Sequence, residues 1–319
     1  MNPRTRAPED LKATLDRLYE SFNYPDSATD PIQIVRRYPD PADQEVVAFC
    51  AAALAFGRVA SVIQSIERLL AVVGPEPARF VRAFEPRTQS AALEPIVHRW
   101  TRGVDLAALL WVLRQMCERS GSIEDFFLEG YAPAGARTGA AGNPVEDPGD
   151  AEHVEDVGEA INSFSTRALA LDLRTVYGRV PSRAGVCYFF PRPANGSGCK
   201  RLNLFLRWMV RRDALDLGAW TRVSPRHLVV PLDTHIIRVG RCLRLTRRTS
   251  PGWPMARDIT RALRALDPED PVKYDFAMCH LGMMNGCGFL TARGDRHCPL
   301  RGCCHPKPPR GRRSTRSVR

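Results

Sequence analysis

Two segments of this 319-residue chain carry side chains able to do covalent chemistry on carbon. The first is PANGSGCKR (193–201), in which Lys200 closely follows a glycine turn. A lysine amine can lose its proton and attack carbon, whereas a guanidinium cannot. The distinction matters because, of 46 basic residues, only Lys12, Lys200, Lys273 and Lys307 are lysine and the other 42 are arginine. Lys12 and Lys273 read as ordinary helix-surface residues. Lys200 falls in the first turn of the next helix, where the dipole disfavours a cation and so favours the neutral amine a nucleophile needs. A blander role is also open to it. Gly196 and Gly198 permit a tight turn and close approach of another molecule, and the free N–H groups of a helix start suit a phosphate. Lys200 and Arg201 would then contact that phosphate. The segment is not a P-loop, since G-x-x-x-x-G-K-[ST] is not satisfied.

The second segment is PLDTHIIRVGR (231–241). Asp233 precedes an apolar helical pattern and is placed as its N-cap. A carboxylate there can equally face a cleft and act as a base or as a stabiliser of developing positive charge. His235 and Arg238 lie one turn apart on that helix, where they orient Asp233, touch phosphate or simply pack.

Ten cysteines divide into two groups. Cys50, Cys117, Cys187, Cys199 and Cys242 are scattered, several in apolar helical stretches. Cys279, Cys287, Cys298, Cys303 and Cys304 crowd near the end. Without a signal-like leader, such a cluster points to metal rather than to cross-links.

The elements that must position these groups read as helices. EVVAFCAAALAF (45–56) is apolar all round and should be a central buried helix. Helical spacing recurs over 9–21, 61–73, 104–119, 122–129, around 157–176, and over 254–266 and 271–284. The stretch 200–212 carries a stripe of Leu202, Phe205, Leu206, Met209 and Val210. A further helix starts at Asp233. No segment alternates as a strand does, so the expected fold is all-α. Residues 132–156 are rich in Gly, Pro and acids and read as a flexible insert, and 306–319 as a disordered basic tail with six basic residues and no acid.

Taken together these pieces resemble the helix-hairpin-helix DNA glycosylase superfamily, whose best known branch is endonuclease III. That family has an L-P-G-x-G-x-K hairpin, a V-D-T-H-x-x-R-V segment and then a cysteine cluster. The matching residues are Gly196, Gly198 and Lys200, then Asp233-Thr234-His235 with Arg238 and Val239, then Cys287 onward. FCAAALAFGRVASV (49–62) is similar to the family's apolar helix and following turn. There Phe56 occupies the place where a side chain wedges into the gap left by a flipped base. Phe56 is equally readable as core. Asn195 departs from the family's proline, and Lys200 and Asp233 stand 33 apart, a longer spacing than in endonuclease III, with RRDALDLGAWTRVSPRHLVV (211–230) among the extra residues. The whole chain looks closest to an uncharacterised bacterial family known only as a domain of unknown function.

The resemblance implies two helical subdomains with a cleft between them. One is discontinuous, residues 1–34 plus 231–305 with the Cys cluster; the other spans 35–230 and holds the hairpin. It implies a base-excising enzyme with β-lyase activity, Lys200 as nucleophile and Asp233 assisting departure of the base. The partner is double-stranded DNA with a damaged base or abasic site. Gly196, Gly198, Arg201, Phe56, Arg58, His235, Arg238, Arg293 and Arg296 are the expected DNA contacts. Tyr188, Phe189, Phe190 and Trp208 are pocket or packing aromatics. A four-iron, four-sulfur (4Fe-4S) cluster is the implied cofactor, held by Cys287, Cys298, Cys304 and Cys303. Cys298-x5-Cys304 matches the family's last interval, but the second ligand's place falls near Asp295, beside His297. Zinc, with His297 or His305 as a donor, and no metal at all remain open.

A net charge of +11 and a pI near 9.5 suit a polyanionic partner. No apolar run reaches the length of a spanning helix, and the N-terminus lacks the apolar core of a secretory signal. The expectation is therefore a monomeric cytoplasmic protein associated with the nucleoid and not with membrane. The lesion excised is not legible in the sequence.

Overall fold

Nine successive residues from Val46 to Leu54 are each almost fully shielded from water, a condition a helix meets only when other elements surround it. A computed structural model shows how, describing residues 8–27, 29–131, 156–283 and 298–304. The run is the body of α3 (Pro41–Leu54), preceded by α1 (Pro8–Glu20) and α2 (Ile32–Val35). Asp40 caps α3 by accepting from Ala42 N at 2.7 Å, with Pro41 opening the first turn. Then follow α4 (Val59–Val73), α5 (Pro77–Ala83), α6 (Pro86–Gln89), α7 (Gly103–Ser120) and α8 (Ile123–Leu128). The second half holds α9 (Gly158–Leu169), α10 (Arg174–Tyr177), α11 (Lys200–Val210), α12 (Thr234–Cys242), α13 (Trp253–Arg264) and α14 (Asp275–Met283). Among the described residues extended pairing is limited to two isolated bridges, His98 with Thr101 and Arg212 with Leu217. The all-α expectation holds.

Packing follows the apolar stripes. α3 lies against α2, α4, α5 and α11, α7 against α5 and α8, and α14 against α12 and α1. The apolar interior is one continuous cluster running from Leu15 to Cys303. Phe189, Phe190 and Trp208 belong to it, whereas Tyr188 is exposed.

Several local readings need correction. The helical stretch expected around 157–176 is two helices, because Asp172 accepts from Arg174 N at 2.8 Å and starts a new turn. The short helices α2, α5 and α6 are too brief to show a period, though proline at the start of α5 and α6 marks them. The hairpin before α11 is preceded by two 3-10 turns, Gly185–Phe189 and Pro193–Asn195, and not by an α-helix. Lys273 is not a helix-surface residue. It sits in the turn before α14 and bonds Asp267 at 2.6 Å and Asp16 of α1 at 3.1 Å.

The residues between α11 and α12 turn out to be structural. Trp220, Val223 and Leu228 to Val230 are buried, and Trp220 Nε1 donates to Glu45 Oε1 at 2.9 Å. Glu45 also accepts from Ile123 N and Glu124 N at 3.0 and 2.8 Å, so this α3 carboxylate caps the start of α8. Burial pushes its carboxyl above the ordinary range, against the pull of those hydrogen bonds. Arg207 and Arg211 stand at the heart of a buried ion network. Arg207 reaches Asp216 at 3.2 Å and Asp275 at 2.7 Å. Arg211 reaches Asp213 at 3.0 Å, Asp270 at 2.9 Å, and Asp216. The network ties α11 to the first residue of α14.

Candidate functional site

Lys200 is the first residue of α11, and Cys199 before it adopts a left-handed backbone, φ 46°. The amine is half-buried and donates to Ala55 O at 3.1 Å. Ala55 is the C-cap of α3, so the ammonium lies at a carboxyl-terminal end of one helix as well as an amino-terminal start of another. The sequence could show only one of these two helices. Arg201 beside it donates to Ala53 O at 3.2 Å and to Tyr188 O, with its guanidinium 5.3 Å from the centre of the Phe56 ring. It is committed to holding the turn after α3.

The two glycines of the turn serve different needs: Gly196 supplies a left-handed backbone with open space around it, and Gly198 fits against a neighbouring side chain. Gly196 has φ 77°, and a Cβ on Gly252 would lie 2.7 Å from Gly196 O. A Cβ on Gly198 would meet Leu232 at 3.3 Å. The turn is thus seated against the residue next to Asp233 and against the start of α13.

Asp233 is the N-cap of α12, as expected. Its Oδ1 accepts from His235 N and Ile236 N, both at 2.8 Å. Its Oδ2 accepts from Cys279 Sγ of α14 at 3.1 Å. Burial and then the Asp233 charge push the Cys279 thiol well up, while the nearby Lys200 charge pulls it down. Asp233, at the start of α12, and Lys200, at the start of α11, therefore both act on the Cys279 thiol of α14. The sequence suggests the first two; there Cys279 groups only with the terminal cysteines, as an alternative to Cys303 for the fourth metal ligand, and nothing in its spacing points to Asp233. His235 packs on Gly282, where a Cβ would come within 2.8 Å of the His235 Cβ. Its Nδ1 is buried with no hydrogen-bond partner among the described residues, so it holds α12 on α14. Arg238, one turn further along α12, is exposed.

Phe56 is half-buried in the turn between α3 and α4. Its ring stacks on Trp100 at 4.6 Å and meets the edge of His98 at 4.5 Å. His98 bonds Phe56 O through Nε2 and Ser65 Oγ through Nδ1, both at 2.9 Å. Beside them lies a cleft of about 330 Å³ rimmed by Arg58, Arg68 and Arg99. Neither His98 nor Trp100 stood out in the sequence, because a four-residue hairpin between helices has no period.

For the metal expectation, Cys298 and Cys303 are buried and Cys304 is half-buried, and Cys303 Sγ lies 3.5 Å from Thr14 Oγ1. Cys287, Arg293, Arg296, Asp295, His297 and His305 lie outside the described residues, as do nearly all of the insert and the whole basic tail. Among the described residues no three His, Cys, Asp or Glu side chains gather as a metal site would need. No described helix is long and apolar enough to cross a membrane.

The profile of one family, described as protein of unknown function (DUF2400), matches residues 30–284. No curated protein and no solved structure matches the chain.

Proposed function

The chain belongs to the DUF2400 family, and we propose that it is a DNA glycosylase with an associated β-lyase activity. The supporting observation is the Cys279 thiol of α14, which bonds Asp233 at 3.1 Å and also feels the charge of Lys200. A damaged nucleotide flipped from the duplex enters beside them. The neutral Lys200 amine attacks the sugar C1′ as the glycosidic bond breaks, and the bonding electrons leave with the base, which takes up a proton. Asp233 stabilises the positive charge that develops on the sugar. Ring opening then gives a Schiff base between Nζ and C1′, and loss of a C2′ proton expels the 3′ phosphate.

Borohydride reduces such a Schiff base to a stable amine. The wild-type protein is expected to cross-link to an abasic duplex under borohydride, and Lys200→Ala to lose the cross-link. A panel of lesion-bearing duplexes then identifies the base released. No adduct with wild type, or equal trapping by Lys200→Ala, rejects the lyase.

One observation favours a second reading, a non-catalytic protein that binds DNA structure. The Lys200 amine is already satisfied by Ala55 O at the end of α3, as a structural lysine would be. That reading predicts duplex binding without trapping or base release. Base release without trapping, lost in Asp233→Asn, would instead mark a monofunctional glycosylase in which Asp233 activates water.

A further inference from the structure

The hairpin at His98–Thr101 is built to display two side chains. His98 and Thr101 exchange both backbone hydrogen bonds, at 3.0 and 2.9 Å, leaving Arg99 and Trp100 as a two-residue tip. Arg99 has φ 56°, a backbone region that favours glycine at the first position of such a tip. Strain of this kind persists only where surrounding contacts hold it. Here His98 clamps the hairpin onto the α3–α4 turn through Nε2 and onto α4 through Nδ1.

What the clamp presents is a ledge. Trp100 lies flat over Phe56, 20° between planes, with the Arg99 guanidinium 5.5 Å from its ring centre, and half of its surface faces solvent. Tyr188 adjoins it with ring centres 6.1 Å apart. Trp100 is 51% and Tyr188 50% exposed, an unusual loss of apolar burial for two neighbouring aromatics. Phe56 is covered by Trp100 and so is not a bare blade for insertion into a stacked duplex. Behind the ledge, Arg58, Ser61, Gln64 and Arg68 share one face of α4, with Arg99 opposite across the cleft. No acid lines that cleft, and among the described residues none of the three arginines pairs with one. Aromatic faces open to a base beside cations open to its phosphates are what an unpaired strand requires.

We propose that the Trp100–Tyr188 ledge and the Arg58, Arg68 and Arg99 cleft form a binding site for single-stranded DNA, one base on each ring and the backbone phosphates on the arginines. The substrate class for the lyase chemistry proposed above then becomes DNA unpaired beside the lesion, a bubble, gap or overhang, in preference to a continuous duplex. This extension rests on the glycosylase reading, but the ledge itself is tested without it.

Anisotropy of a labelled oligodeoxythymidine with the full chain is the measurement. Single-stranded DNA is expected to bind more tightly than a duplex of equal length. Trp100→Ala is expected to weaken it roughly 5- to 100-fold, with Trp100→Phe restoring most of the loss. Arg58→Gln with Arg68→Gln should flatten the salt dependence. Trp100 is half-exposed, so its truncation leaves the core intact, which circular dichroism checks. Equal binding of duplex, or unchanged affinity in both Trp100→Ala and Tyr188→Ala, overturns the site. Tighter binding of the matching RNA overturns its assignment to DNA. Strand binding lost in Trp100→Ala, with no borohydride adduct from wild type, rejects the lyase and keeps the ledge. An adduct without strand binding does the reverse.

Discussion

At the scale of single residues the site turns on how Asp233 divides its two oxygens. Oδ1 is spent on the start of α12 and Oδ2 on the Cys279 thiol. Asn caps a helix about as well as Asp, so Asp233→Asn should keep the fold to within a few tenths of a kcal/mol in thermal unfolding. It should nonetheless slow base release by about 100-fold or more, since the stabilising charge is gone. The same substitution reports on Cys279. A thiol whose ionisation is pushed up carries little thiolate at neutral pH, and its alkylation accelerates only as pH rises. Removing the Asp233 charge lowers that threshold. Iodoacetamide labelling followed by mass spectrometry should therefore be faster at Cys279 in Asp233→Asn than in wild type at every pH from 7 to 9. An unchanged rate would mean the two groups do not interact in solution.

At the scale of elements, α12 and α14 fix where Asp233 stands relative to Lys200. Their contact depends on a residue with no side chain. A methyl on Gly282 would press within 2.8 Å of His235 Cβ and 2.9 Å of its Nδ1. His235 Cβ is fixed to the backbone and its Nδ1 is buried, so neither atom swings aside cheaply. Gly282→Ala should cost about 1–3 kcal/mol, read as a fall in the urea midpoint. It should reduce borohydride trapping more than the stability loss accounts for, because it moves Asp233 and leaves Lys200 in place. Legibility in the sequence tracked element length. α3, α4, α7, α11 and α13 announced themselves by period and composition. The hairpin carrying His98 and Trp100, and the short α2, α5 and α6, had no period to read.

At the scale of the whole molecule, the buried network around Arg207 and Arg211 joins α11 to α14 through the segment between α11 and α12. Asp213, Asp216, Asp270 and Asp275 hold Arg207 and Arg211 charged despite their burial, while Asp275, with one oxygen left unpartnered among the described residues, is pushed up to about 6 by burial. Removing one partner leaves buried charge uncompensated. Arg207→Met should therefore cost about 3–5 kcal/mol in denaturant unfolding. Adding Asp275→Leu to that variant should recover part of the loss. If the double variant is no more stable than the single one, the network is not what couples the two helices.

The sequence by itself determined the helical class, the buried α3, the cap at Asp233 and the singular position of Lys200. Each is a matter of local pattern or of residue type, which neighbours along the chain suffice to express. Only the tertiary structure decided what those groups face. The Lys200 amine meets the end of α3, Asp233 meets a thiol 46 residues away, and Phe56 lies beneath Trp100. Such meetings depend on crossing helices, and the energies that choose them reside in long-range packing and in ion pairs such as Arg207 with Asp275, 68 residues apart. No spacing in the chain encodes those contacts.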